Sequence, residues 1–140
     1  MKILVAVDGS VYTKRMLAYL AAHDEWLGAH HRYTVLHAVA PVPARAASAI
    51  AKSVLTDYYR DSAERVLKPI RSFFAQQGLT VQFVSKVGLA DQVIVDAAQK
   101  GKYDLLVLGS HGHGTLGNLV MGSVATKVLA HCETPALLVR

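Results

Sequence analysis

The sequence predicts an α/β protein: an open, doubly wound parallel sheet of five strands with helices on both faces. Continuous apolar runs such as residues 3–7 and 105–108 are more common than strictly alternating segments. Such runs are typical of parallel strands buried on both faces. Helix-like segments and short connections separate the runs, which favours right-handed crossovers and helices on both faces. The length of 140 residues predicts one domain over residues 1–140.

In the first half of the chain, two predicted strands alternate with two predicted helices. Gly28 should end the first helix, since glycine is favoured just past a helix C-terminus. Pro41 should end the second strand, because proline lacks the amide that a central strand uses. Pro69 lies within the second helix and should kink it or divide it in two. In order, the elements are a strand at 2–7, a helix at 12–28, a strand at 33–39, and a long helix that follows the stretch 44–50 and runs to about residue 77.

The second half continues the same alternation and contains the most informative segment of the chain. In order, the elements are a strand at 79–87, a helix at 90–100, a strand at 104–109, a helix from residue 120 or 123 to 131, and a strand at 135–139. Between the fourth strand and the last helix lie five of the ten glycines. These are Gly109, Gly112, Gly114, Gly117 and Gly122.

This glycine-rich segment predicts a binding site for phosphate. Glycine lets a ligand approach the backbone, and a strand, a loop and a helix N-terminus together can hold an anion. Ser123 stands where an N-cap is expected, so its hydroxyl could cap the helix or bind a phosphate oxygen. We expect a Cβ at Gly122 to occupy the phosphate space. An ordinary flexible loop remains the alternative, and neither a P-loop nor a Rossmann fingerprint after the first strand is present.

Several segments together resemble one family, the UspA-type universal stress protein domain, over essentially the whole chain. They are the spaced motif Gly109-x2-Gly112-x9-Gly122-Ser123, the opening at 3–10, the strand end at 37–39 and the close at 135–140. The motif resembles that of the ATP-binding branch. The resemblance implies the strand order 3-2-1-4-5 and a homodimer formed through the last strand.

That order places the reversal of winding between strands one and four, where open α/β sheets bind ligands. Asp8 ends the first strand there and, as a carboxylate, should face ribose, the adenine amine or Mg²⁺ rather than bare phosphate. The resemblance implies adenine contacts at Ala38 and Leu108, ribose and phosphate contacts at Gly109 and Gly112, and the phosphate tail at residues 122–124. The predicted nucleotide-binding residues are Val7, Asp8, Ser10, Ala38, Leu108, Gly109, Gly112, Gly122, Ser123 and Val124.

We therefore expect an ATP-binding universal stress protein, with ADP or AMP as other possible ligands and Mg²⁺ held, if at all, through the phosphates. Its nucleotide would stabilise a conformation or dimer that a further protein reads. A slow ATPase or nucleotide switch and a nucleotide-free interaction module are the alternatives. No catalytic residue is predicted, because phosphoryl transfer needs neutralisation of the γ-phosphate and an oriented nucleophile. His111 and His113 lack a third ligand at a recognisable spacing, so no metal site is expected.

Composition narrows the partners and the location. The net charge of +5 is scattered along the sequence, which argues against nucleic acid. The longest apolar runs are about five to eight residues, too short for a transmembrane helix, and no signal-peptide pattern is evident. Cys132 is the single cysteine, so a reducing compartment is expected. These observations predict a cytoplasmic protein.

Overall fold

The computed structural model of the chain describes residues 1–23, 25–114 and 120–140. Gly117 of the glycine-rich segment lies outside them. The strands are β1 (Lys2–Val7), β2 (Arg32–Val39), β3 (Val81–Val87), β4 (Leu105–Gly109) and β5 (Ala136–Val139). The helices are α1 (Val11–Ala21), α2 (Ala44–Ala47), α3 (Lys52–Gln76), α4 (Ala90–Gly101) and α5 (Ser123–His131).

Within the described residues, the strands form one parallel sheet with the order β3-β2-β1-β4-β5. The predicted fold class and strand order are confirmed. The strand boundaries agree with the predicted ones to within two residues, and the last helix begins at the later of the two predicted starts, Ser123. The sheet is thus wound in both directions from β1.

Successive residues of the central strands pack on opposite faces of the sheet. Ile3 and Val5 of β1 face a core cluster that α1 and α3 complete, whereas Leu4 and Ala6 face a second cluster completed by α4 and α5. The period of two in a strand produces this division. Because both faces are buried, each residue of the run must be apolar, which accounts for the continuous runs in the sequence.

Helix α1 is shorter than predicted: it ends at Ala21 rather than at Gly28. The Tyr33 hydroxyl of β2 donates to the backbone carbonyls of Trp26 and Gly28, over 2.8 and 3.0 Å. These bonds hold the segment before β2 in a turn against the core, so that the partly buried Trp26 adds to the cluster on that face. A contact between β2 and the segment before it therefore overrides the local helical pattern.

Helix α3 is not divided at Pro69 and runs unbroken over 25 residues. Because proline has no backbone amide hydrogen, Pro69 cannot donate to the carbonyl of Arg65, four residues earlier. Both residues lie on the exposed face of the helix. Solvent can hydrogen-bond a carbonyl left without its helical partner. On the opposite face, Leu67, Ile70 and Phe74 are buried against the sheet, and this packing favours a continuous helix.

The pairing of β1 with β4 determines where the loops at one end of the sheet meet. Ala6 of β1 is in register with Leu108 of β4. Since the strands are parallel, the chain leaves both at the same edge of the sheet. Asp8 and Gly109 are therefore neighbours at the point where the winding reverses.

Replacing Pro69 with alanine should stabilise the protein by about 2 kcal/mol. Restoring an amide in the helix interior is worth about 3 kcal/mol, and greater freedom of the unfolded chain offsets about 0.4–1 kcal/mol of that. Urea denaturation measures the free energy of unfolding. The exposed neighbour provides the control, since Lys68→Ala should change that free energy by less than about 0.5 kcal/mol. A Pro69→Ala variant no more stable than this control would contradict the prediction.

Candidate functional site

A cavity of about 480 Å³ lies at the carboxyl ends of β1, β2 and β4, beside the N-termini of α4 and α5. Nine of the predicted binding residues line it: Val7, Asp8, Ala38, Leu108, Gly109, Gly112, Gly122, Ser123 and Val124. Ser10 does not. It is 4% exposed and caps α1, its hydroxyl accepting from the Thr13 amide over 3.4 Å.

The carboxylate of Asp8 is fixed by the turn that joins β1 to α1. Its Oδ1 accepts hydrogen bonds from the Ser10 amide and the Thr13 hydroxyl, each over 2.9 Å. The Asp8 amide in turn donates to the Thr13 hydroxyl oxygen over 3.1 Å. Gly9 makes the turn possible by adopting a φ of +76°, a backbone angle that residues with a Cβ rarely adopt.

The other carboxylate oxygen of Asp8 lies against the glycine-rich segment. A Cβ on Gly112 would be 2.6 Å from Asp8 Oδ2. His113 of the same segment donates from Nε2 to the backbone carbonyl of Asp8 over 2.7 Å. The loop after β1 and the loop after β4 are thus directly bonded, and Asp8 forms part of the wall between them.

His111 and His113, which the predicted binding set did not include, both line the cavity. The ring of His111 lies 4.9 Å from that of Tyr12, centroid to centroid, and its Nδ1 is hydrogen-bonded to the Ser110 hydroxyl over 2.8 Å. Ser110 itself is fully buried, and its amide donates to the Val139 carbonyl of β5 over 2.7 Å. The cavity edge is therefore tied to α1 and to the last strand.

The N-terminus of α5 opens onto the cavity without a side-chain cap. Gly122, rather than Ser123, is the N-cap residue, because its carbonyl accepts from the Thr126 amide over 3.0 Å. The expected N-cap position of Ser123 is therefore corrected by one residue. Ser123 and Val124 lie in the first turn and line the cavity, where the first amides of a helix have no intrahelical partner.

The expectation for Gly122 also needs correction. A Cβ there would lie 3.0 Å from the Cα of His111 and 3.2 Å from the Ser110 carbonyl oxygen, so it would meet protein backbone rather than a ligand. The Gly122 amide donates to that same carbonyl over 2.8 Å. Gly122 is thus a point of close approach between the start of α5 and the end of β4.

Sequence reasoning missed several residues that line the cavity. Thr13 carried a weak signal, since it stands three residues after a serine at a helix start. Ala90 and Ile94 of α4 gave no signal in the sequence, because both are ordinary apolar residues of an amphipathic helix. The residues missed are Ala6, Thr13, Leu36, Ala90, Ile94, Gly114 and Ala125.

A second cavity, of about 560 Å³, lies at the opposite edge of the sheet, where β1, β2 and β3 begin. Its lining includes Lys2, Arg32, Thr34 and Gln82, and none of the predicted binding residues.

Within residues 1–23, 25–114 and 120–140, no three His, Cys, Asp or Glu side chains are grouped so that they could hold a metal ion. None of the helices in that part of the chain is long and apolar enough to cross a membrane.

The family model of the universal stress protein family matches residues 1–140. A universal stress protein of Thermus aquaticus, encoded in the QAH/OAS sulfhydrylase 3′ region, is 34% identical over 139 residues, covering 99% of this chain and 97% of that protein. The chain therefore belongs to the universal stress protein family. It spans less than half the length of two other curated universal stress proteins that it matches, one from Mycolicibacterium smegmatis and one from Synechocystis.

Two solved structures share the fold and contain a nucleotide. A universal stress protein family member from Arabidopsis thaliana with AMP bound has a TM-score of 0.70 and 17% identity, covering 99% of this chain and 90% of that one. The universal stress protein from Archaeoglobus fulgidus in complex with dAMP has a TM-score of 0.69 and 22% identity, covering 100% and 98%. At these identities the likeness establishes the fold.

Replacing Gly112 with alanine should destabilise the protein in the absence of any ligand. The new Cβ would displace the Asp8 carboxylate and break its hydrogen bonds with Ser10 and Thr13. A hydrogen-bond donor left without an acceptor lowers the free energy of unfolding by about 1–3 kcal/mol. Thermal and urea unfolding measure the loss. Gly114→Ala is the matched control, since a Cβ there would have no atom of the described residues within 4 Å. Equal stability of the two variants would show that Asp8 is not held as described.

Proposed function

We propose that the cavity binds an adenine nucleotide and that the bound nucleotide regulates the protein in a stress response. In this proposal residues 1–140 act as one nucleotide-binding domain in the cytoplasm. The observation that supports it most is the meeting of nine predicted binding residues around one cavity beside an uncapped helix N-terminus. Ligand sites in open α/β sheets lie at this position, where the winding reverses.

The start of α5 is the proposed phosphate site. Free amides and the helix dipole together favour an anion at a helix N-terminus. Ser123 adds a hydroxyl at the edge of the cavity, and no described side chain occupies the cap position. A phosphate there would accept hydrogen bonds from the backbone of Ser123 and Val124.

The strand ends form the proposed nucleoside site. Val7, Ala38 and Leu108 present apolar side chains or small surfaces to the cavity, and flat bases bind well in such a setting. Asp8 stands beside them with Oδ2 on the cavity side near Gly112. A carboxylate there suits ribose hydroxyls or the adenine amine, both of which are donors.

The ligands of the two solved relatives agree with this division of the cavity. AMP and dAMP, the nucleotides bound in the Arabidopsis and Archaeoglobus proteins, share adenine, a sugar and one phosphate. ATP and ADP belong to the same proposal, with Mg²⁺ held through the phosphates. We propose binding without rapid hydrolysis, as expected of a regulator that a further protein reads.

Binding alone would suffice for regulation by mass action. A ligand at 100 times its Kd adds about 2.7 kcal/mol to the stability of the bound form. We propose that this stabilised form is a homodimer joined through β5. In the described residues β5 pairs with β4 on one side only, and an open apolar edge favours pairing with another strand.

The variant Ser123→Ala should weaken AMP binding by about 1.5–3 kcal/mol, because a hydrogen bond to a charged oxygen is lost. Isothermal titration calorimetry measures the affinity. Ser72→Ala is the matched control: Ser72 is an exposed serine on α3 whose hydroxyl donates to the Lys68 carbonyl, and its loss should leave affinity unchanged. If wild-type protein does not bind AMP, ADP or ATP, the proposed function is wrong.

Introducing a charge on the last strand should dissociate the proposed dimer. Ala136 is exposed at the start of β5, and lysine on an edge strand discourages pairing. Light scattering of size-separated protein should give a dimer mass for the wild type and a monomer mass for Ala136→Lys. Ala75→Lys, on the exposed face of α3, should remain dimeric. A monomeric wild type at high concentration would refute the dimer.

A further inference from the structure

We infer that the cavity prefers a nucleoside monophosphate to a nucleoside triphosphate that carries no divalent cation. This inference rests on the proposed function and specifies the ligand class of the same site. It comes from the charges of the described residues around the phosphate end of the cavity.

No lysine or arginine lines the cavity in the described part of the chain. The sequence extends this finding, because residues 115–119 are Thr-Leu-Gly-Asn-Leu and carry no charge. The charged side chain that does line the cavity among the described residues is that of Asp8, which is negative. Side chains therefore supply no fixed positive charge to oppose a polyphosphate.

The hydroxyl groups near α5 are also few. Position 125 is an alanine, 2% exposed, with its side chain among the core residues of that face. Thr126 does not substitute for a missing hydroxyl, since its Oγ1 donates to the Gly122 carbonyl over 2.8 Å. At the start of this helix, Ser123 is left as the hydroxyl that lines the cavity.

The N-terminus of α4 also borders the cavity, and the remaining positive element at the proposed phosphate site is the N-terminus of α5. Its aligned peptide dipoles amount to about half an elementary charge, effective within the first turn. A phosphate monoester carries about −1.5 to −2 charges near neutral pH, so one phosphate already exceeds what the helix offers. The β- and γ-phosphates would extend beyond that turn, along a cavity lining that holds no lysine or arginine in the described part of the chain, and would repel one another and Asp8.

The two histidines do not change this balance when their rings are neutral. His113 donates from Nε2 to the Asp8 carbonyl, which ties the ring to the loop after β1. His111 is bonded through Nδ1 to Ser110. To keep their contribution constant, all titrations are run in one buffer at the same pH.

The experiment compares AMP with ATP by calorimetry on the full chain, first in EDTA and then with excess Mg²⁺. In EDTA, AMP should bind at least about ten-fold more tightly than ATP. With Mg²⁺, which neutralises charge on the triphosphate, the ratio should fall below about three-fold.

A positive charge introduced at the start of α5 tests whether missing positive charge is the cause of the preference for AMP. Val124 lies in the first turn of α5, lines the cavity and is 37% exposed, so a longer side chain fits there. Val124→Lys should raise ATP affinity in EDTA by about ten-fold and AMP affinity by less, because a cation near the helix start would meet the outer phosphates. Val124→Gln, of similar reach and no charge, should change the ratio of the two affinities less than Val124→Lys does.

The outcomes separate the two proposals. If neither nucleotide binds, the proposed function fails, and the preference fails with it. If ATP binds in EDTA as tightly as AMP or more so, the cavity does bind nucleotide but the inferred preference is wrong. An equal change in the affinity ratio for Val124→Lys and Val124→Gln would show that charge is not the cause.

Discussion

The parallel pairing of β1 with β4 is the constraint on which the site depends. It places the loop after Val7 beside the loop after Gly109, in the register Ala6 to Leu108. The hydrogen bond from His113 to the Asp8 carbonyl then joins the two loops across the reversal of winding. The start of α5 lies at the same junction, because the Gly122 amide donates to the Ser110 carbonyl just after β4 over 2.8 Å.

The spaced glycines serve mainly to let parts of the protein approach one another. A Cβ on Gly109 would lie 2.9 Å from Tyr12 Cβ of α1, one on Gly112 would strike Asp8, and one on Gly122 would press on the backbone at His111. Only at Gly114, among these described glycines, would a Cβ meet open space. The motif therefore shapes the cavity wall, and backbone amides and Ser123 remain for the proposed ligand.

The continuous apolar runs predicted the central strands β1 and β4, because burial on both faces requires such runs, and the predicted site residues account for nine of the eighteen residues that line the cavity, because the cavity follows strand ends. The strand order came from resemblance alone. The end of α1 was predicted wrongly, since it depends on the Tyr33 hydroxyl reaching two carbonyls from another element. The contribution of Ala90 and Ile94 from α4 arises from tertiary packing that a helical pattern does not encode.

The most direct test of the central claim is an amide chemical-shift titration of ¹⁵N-labelled protein with AMP. We expect the largest shifts at Gly112 and in the first turn of α5, at residues 123–125, with little change where β1, β2 and β3 begin. Shifts concentrated around Arg32 and Gln82, at the second cavity, with the α5 amides unmoved, would contradict it.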